Sequence, residues 1–161
     1  MRYISTRGEA PVLGFSDALL AGLARDGGLY LPESWPQLSK SEIAAFAGKS
    51  YQDIAFSLLA RFTDGEIAPE KLRSMIDEAY ATFRHDAVCP LVQTGANEFV
   101  AELFHGPTLA FKDVAMQLLA RLMDHALAER GERATIVGAT SGDTGGAAID
   151  AFAGRERTDM F

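Results

Sequence analysis

The chain has 161 residues, enough for one ordinary domain or for a small domain and part of another. Its 48% hydrophobic and 23% charged content is that of a folded globular protein, which excludes the disordered classes. A formal net charge of −7, with the densest basic stretch (Arg155 to Arg157) interrupted by Glu156, argues against nucleic acid and anionic membranes as partners. The one cysteine, Cys89, excludes an internal disulfide. It has no Cys or His at metal-ligand spacing, and its apolar setting before Pro90 predicts a buried structural role. A cytoplasmic location fits that cysteine usage, and the N-terminus carries no apolar run of signal-peptide or membrane-span length.

In chain order, Phe15 to Leu23 predicts a short helix with Ser16 as N-cap, Asp17 in the first turn, and Leu19, Leu20 and Leu23 at helical spacing. Asp26-Gly27-Gly28 reads as a turn, and Leu29-Tyr30-Leu31 as a strand stopped by Pro32. Ser39 with Glu42 makes a capping box for a helix to about Phe46. Further helices are expected at about Tyr51 to Phe62, and from Pro69 and Glu70 to about Phe83. Residues 1–88 thus read as a helix-rich cap domain without evident chemistry.

The texture changes near Pro90. Phe99 to Phe104 is a strand candidate, and His105-Gly106-Pro107-Thr108 a tight connection. Lys112 to Arg130 is the clearest helix, with an apolar stripe of Phe111, Ala115, Leu118, Leu119, Leu122 and Ala126 and with Gly131 at its end. Ala134 to Val137 is a short β-rich run, Gly138 to Gly146 a polar glycine-rich turn, and Ala147 to Ala153 a helix ended by Gly154. Strand, helix, strand, helix implies an α/β fold with parallel strands, so residues 89–161 read as the beginning of an α/β domain. A third strand should begin near Thr158. Two parallel strands cannot bury both sheet faces, so the chain is expected to be part of a longer protein, with an exposed sheet edge that favours self-association.

Two places could carry chemistry. The first is Phe104 to Asp113, with Lys112 between Phe111 and Asp113 in a chain that otherwise prefers Arg to Lys, eleven to four. A cation at a helix start opposes the helix dipole by roughly 0.3–1 kcal/mol. A lysine used covalently gains there, because apolar neighbours and a positive helix end favour a neutral, nucleophilic amine. Arginine could not replace it, since it does not deprotonate. A snorkelling surface lysine paired with Asp113 satisfies the same spacing. The second place is Gly138 to Gly146, where four glycines in nine residues follow a strand and open a helix. Backbone N–H groups and the hydroxyls of Thr140, Ser141 and Thr144 then converge as an anion site. An ordinary strand–helix turn with a Ser or Thr cap is the alternative.

Competing motifs fail on their own spacing. Gly48-Lys49-Ser50 has Ile43 where a phosphate-binding loop needs its first glycine. The 138–146 turn lacks G-x-G-x-x-G, and Ala139 breaks a nucleophile elbow at Ser141. His85, His105 and His125 have no metal-binding spacing, and His125 reads as solvated, so no metal site is expected.

Leu103-Phe104-His105-Gly106-Pro107-Thr108-Leu109-Ala110-Phe111-Lys112-Asp113 closely resembles the cofactor-lysine segment of threonine synthases, and Ala139 to Gly145 resembles that family's turn after the next strand. Tyr3 to Gly8 and Asp26 to Glu33 are similar to the opening of the bacterial and fungal type. The likeness covers nearly the whole chain in family order. It implies the N-terminal portion of a fold-type-II pyridoxal 5′-phosphate enzyme, a lyase converting O-phospho-L-homoserine and water to L-threonine and phosphate. By that likeness Lys112 bonds the cofactor and then carries a proton. Asp143 and Phe111 lie near the cofactor, and Thr140, Ser141, Gly142 and Thr144 hold the substrate carboxylate, with Ser141 to Thr144 also serving the cofactor's 3′-oxygen. Asp143 departs from the amide common in related fold-type-II enzymes, which suggests that it tunes protonation at the lysine–cofactor bond. The cofactor-phosphate loop and the pyridine-nitrogen partner belong to later segments of that family, so activity in this chain alone is not expected. A related fold-type-II lyase, or a non-catalytic interaction module, are the other readings.

Overall fold

A computed structural model describes residues 1–140 and 142–161, and the chain divides into two compact units, Met1–Ser74 and Met75–Phe161.

In the first unit, β1 (Tyr3–Ser5) and β2 (Tyr30–Pro32) pair antiparallel, with Tyr3 opposite Pro32, Ile4 opposite Leu31 and Ser5 opposite Tyr30. Pro32 is the last residue of β2, so the strand ends at the proline as expected. The turn between Ala24 and Leu29 is organised by Asp26, whose carboxylate accepts hydrogen bonds from the Ser5 hydroxyl and the Gly28 and Glu9 N–H groups. Burial works against this charge, but the hydrogen bonds from Gly28, Ser5, Glu9 and Ala10 hold the carboxyl below its usual range. α1 (Phe15–Ala21) starts from Gly14, and Ser16 is not its cap. The Glu66 carboxylate, distant in sequence, accepts from the Phe15 and Ser16 N–H groups at 2.7 and 3.0 Å. A tertiary carboxylate replaces the local hydroxyl, which sequence pattern could not show.

α2 (Lys40–Ala44) carries the expected Ser39–Glu42 capping box, and α3 (Tyr51–Thr63) carries another between Ser50 and Asp53. Each box acid also holds an arginine: Arg61 to Glu42 at 2.7 Å and Arg73 to Asp53 at 2.6 Å. α4 (Pro69–Tyr80) begins on its proline, as expected, and ends three residues short of Phe83.

The second unit holds a hairpin of β3 (Leu91–Gly95) and β4 (Glu98–Ala101), antiparallel, with a register shift between Gln93 and Gly95. β3 was not among the sequence expectations. α5 (Asp113–Arg130) follows, closed by Gly131 in the left-handed region at φ 65°. β5 (Ala134–Ile136), α6 (Asp143–Phe152) and β6 (Thr158–Met160) complete the unit. The parallel pair is β5 with β6, Ile136 opposite Met160, while β4 stays in its own hairpin. The parallel strands are thus the ones flanking α6, and β6 is the strand expected near Thr158.

The core of this unit is built on small side chains. Ala120 of α5 clusters with Ala148, Ala151 and Phe152 of α6, and Met116, Leu119, Met123, Ile136 and Met160 pack around them. The buried face of α5 differs from the expected stripe: Ala115 and Phe111 are exposed, and Gln117 and Arg121 are buried instead. Arg121, 9% exposed, donates to the Gln117 carbonyl at 2.6 Å and to the Glu78 carbonyl at 3.2 Å. Gln117 donates to Asp150 at 2.6 Å, so α4, α5 and α6 share one polar seam. Burial, and secondarily Arg155, pull the Arg121 guanidinium below its ordinary range. Cys89 is half-buried, and burial pushes its thiol up, away from nucleophilic use.

Two expectations follow from the capping boxes. Ser50→Ala should lower stability by about 1 kcal/mol in urea unfolding, through loss of the α3 cap. Glu42 and Asp53 are each held down at about 2, first by the hydrogen bond from Arg61 or Arg73 and then by Ser39 or Ser50. Their folded values lie below the unfolded ones, near 4. The stability they add is therefore present above about pH 4 and lost as pH falls towards 2. The urea midpoint should drop across that window, and the drop should shrink in the Glu42→Gln, Asp53→Asn double variant.

Candidate functional site

The site lies within the second unit, where the segment leading into α5 meets the turn leading into α6. Lys112 directly precedes α5, with helical backbone angles of −61° and −26°. Its Nζ lies 4.3 Å from the centroid of the Phe111 ring, a cation–π contact on an exposed aromatic. The surface pairing of Lys112 with Asp113 does not occur. Asp113 is wholly buried, and its two carboxylate oxygens accept the Thr108 N–H at 2.9 Å and the Thr108 hydroxyl at 2.7 Å.

α6 begins at Asp143, four residues earlier than expected. Thr144, Gly145 and Gly146 therefore belong to its first turn. Thr140 organises this start: its Oγ1 accepts the Gly145 N–H at 3.2 Å and the Gly142 N–H at 3.4 Å. Gly145 is required by close approach, since a Cβ there would run into the Thr140 methyl group. Gly145, which reads as part of a loop signal, is clearance for a helix packed on its own entry turn.

An open cavity of about 400 Å³ is lined by Phe111, Lys112, Thr140, Gly142, Asp143 and Thr144. Two segments about thirty residues apart are thus brought together, and six of the seven candidate residues line one space. The seventh, Ser141, lies outside the described residues. The first N–H groups of a helix have no partner within it, so the start of α6 offers donors and partial positive charge to whatever occupies the cavity. A second cavity, of about 430 Å³, runs along the apolar side chains Met116, Leu119, Met123 and Ile136 and has no titratable lining residue.

In the same unit, His105 Nε2 lies 2.7 Å from the Glu102 carboxylate, and the His85 and His105 rings approach to 5.0 Å between centroids. The two histidines, scattered in sequence, are neighbours in space. The sequence places Thr108 in a tight connection and offers Asp113 as a partner for Lys112; the contact of Thr108 with Asp113 was not among the expectations. Among the described residues no group of three or more His, Cys, Asp or Glu is placed to hold a metal ion, and no helix is long and apolar enough to cross a membrane.

The fold and site define an α/β protein that presents a lysine amine and a helix N-terminus to one open cavity. Residues 2–80 match the family described as threonine synthase N terminus. Threonine synthase of Pseudomonas aeruginosa is 56% identical across the whole chain, which covers 34% of that protein. The crystal structure of PLP-bound threonine synthase from Brucella melitensis is similar with a TM-score of 0.98 and 73% identity, over 100% of this chain and 35% of that one. Yeast threonine synthase gives a TM-score of 0.92 at 39% identity, over 99% of this chain and 34% of that one. The chain spans about a third of the length of these relatives. Sequence and fold together identify it as the N-terminal portion of the threonine synthase family.

The tight contact at Gly145 yields a paired test. Gly145→Ala should destabilise by about 1–3 kcal/mol through overpacking against Thr140. Gly146→Ala, whose Cβ meets nothing within 4 Å, should be neutral or stabilising by up to about 1 kcal/mol. Urea unfolding of the two variants measures the difference.

Proposed function

We propose that this chain supplies the cofactor lysine and part of the substrate site of a pyridoxal 5′-phosphate-dependent threonine synthase, a carbon–oxygen lyase of the cytoplasm. The reaction is conversion of O-phospho-L-homoserine and water to L-threonine and phosphate. The observation that carries this reading is the convergence of Lys112 with the start of α6 on one cavity. The residues fit the cofactor chemically. A primary amine can bond an aldehyde, the Phe111 ring offers an aromatic surface, and the α6 N-terminus with the Thr140 and Thr144 hydroxyls suits anionic oxygens.

Bound there, pyridoxal phosphate would act as an electron sink for the substrate carbons. Lys112 would hold it through its Nζ and would move a proton at that atom. Gly142, Thr144, Thr140 and Ser141 would bind the substrate carboxylate through N–H and O–H donors. Asp143 would lie beside the lysine–cofactor bond, where its charge favours a protonated nitrogen. In this reading residues 1–88 form a cap domain and residues 89–161 begin the cofactor-binding domain.

In the full-length protein, borohydride reduction after pyridoxal phosphate addition should label Lys112, located by peptide mass. Lys112→Arg, which keeps the charge but cannot release a proton, should lose the label and at least a thousandfold in turnover. Release of threonine rather than 2-oxobutyrate from O-phospho-L-homoserine separates a synthase from a related lyase. A folded protein without label on Lys112 would overturn the reading and favour an interaction module. Asp143→Asn should shift the pH titration of the cofactor absorbance to lower pH; an unchanged titration would remove Asp143 from that role.

A further inference from the structure

We infer that Thr108 and Asp113 are positioning residues that set where Lys112 stands. The inference rests on the assignment of Lys112 as the cofactor lysine. The segment from Gly106 to Lys112 is not regular structure, and three features hold it in one shape. Asp113, in the first turn of α5, takes both donors of Thr108, the N–H on one carboxylate oxygen and the hydroxyl on the other. This closes a loop of five residues onto the helix start. The buried Gly106 lies directly against the Asp113 side chain, where any Cβ would collide with it, so the chain passes over the carboxylate at the closest possible distance.

Leu109, between these anchors, has φ 64°, a left-handed conformation that a branched leucine adopts only when its surroundings impose it. Its N–H donates to the Gly106 carbonyl at 3.2 Å, and the Asp113 N–H donates to the Ala110 carbonyl at 3.0 Å. Ala110 is buried beneath the turn while Leu109 and Phe111 are exposed. The loop is therefore constrained from both ends, and Lys112 is its last residue before the helix.

The chemistry of the pair suits a positioning role. A wholly buried carboxylate is costly unless its oxygens are satisfied, and Thr108 gives each oxygen one donor. An amide at Asp113 could still accept the Thr108 N–H and donate to the Thr108 hydroxyl, so removal of the whole group, as in Asp113→Ala, is what breaks the contact. Serine at position 108 would keep both bonds; alanine would keep only the backbone one. Lys112 gains a fixed origin for a side chain with four rotatable bonds, and correct placement of a reacting amine is worth large factors in rate.

The test compares Thr108→Ala, Thr108→Ser and Asp113→Ala with the parent in the full-length protein. Melting temperature, amide hydrogen exchange over residues 106–113 without cofactor, and the rate of borohydride-trappable pyridoxal phosphate attachment at Lys112 are measured. Thr108→Ala and Asp113→Ala should raise exchange in that segment and slow attachment at least tenfold each. Thr108→Ala should melt within a few degrees of the parent. Thr108→Ser should attach within about twofold of the parental rate. Attachment at the parental rate in Thr108→Ala, or a serine variant as slow as alanine, would overturn the inference. If the parent itself carries no label on Lys112, the cofactor reading fails, and exchange alone decides the clamp: unchanged exchange in Thr108→Ala refutes it.

Discussion

The contact between α5 and α6 is made through alanine, and the spacing of everything at the cavity follows from it. Ala120, Ala148 and Ala151 are nearly or fully inaccessible, and they let the two helices approach as closely as side chains of that size permit. Larger residues would separate the axes and draw the beginning of α6 away from Lys112. Gly145 extends the same economy of size to the start of α6, where a Cβ would run into the Thr140 methyl group. A site made of one side chain and one helix terminus needs that rigidity, because neither half can reach far to meet the other.

Electrostatics reinforce the arrangement. The residues just before α5 and the first turn of α6 contribute to one cavity wall, and the α6 terminus brings partial positive charge. Of the described lining residues, Lys112 is the one cation and Asp143 the one carboxylate. Asp113 adds a negative charge at the start of α5, which offsets the unfavourable cation beside it. It is turned inward onto Thr108 and is therefore not a counter-ion resting on the lysine. The Phe111 ring takes the place that a carboxylate would otherwise occupy beside the amine. A lysine flanked this way remains available for bonding in a manner that a salt-bridged surface lysine does not.

Local signals in the sequence translated well into structure where the interaction itself is local. The Ser39–Glu42 box, Pro69 at a helix start and Gly131 at a helix end each satisfy backbone groups within a few residues. The Glu66 cap on α1 could not be read because its donor and acceptor are about fifty residues apart. Strand pairing failed for the same reason: β4 pairs back to β3 and β5 forward to β6, choices made by tertiary packing and invisible to alternation of residue type. The polar seam through Gln117 and Arg121 defeated the apolar-stripe argument, because periodicity counts a buried arginine as surface.

The same reasoning explains why the candidate site was legible but its architecture was not. Residue types carried the chemistry, since a lysine, unlike an arginine, can be both cation and nucleophile, and glycine with hydroxyls before a helix marks an anion cradle. What they could not carry was which glycines shape a loop and which allow contact. Gly145 and Gly146 are poor helix formers by propensity, yet both lie in the first turn of α6. There the weak propensity is overridden, because Gly145 is where the helix meets Thr140 and any larger residue would push it away. The motif is thus a packing constraint as much as a binding one. The two demands coincide at the turn, for a helix start that must approach its own entry turn this closely is also one whose N–H groups are held in a fixed place for a ligand.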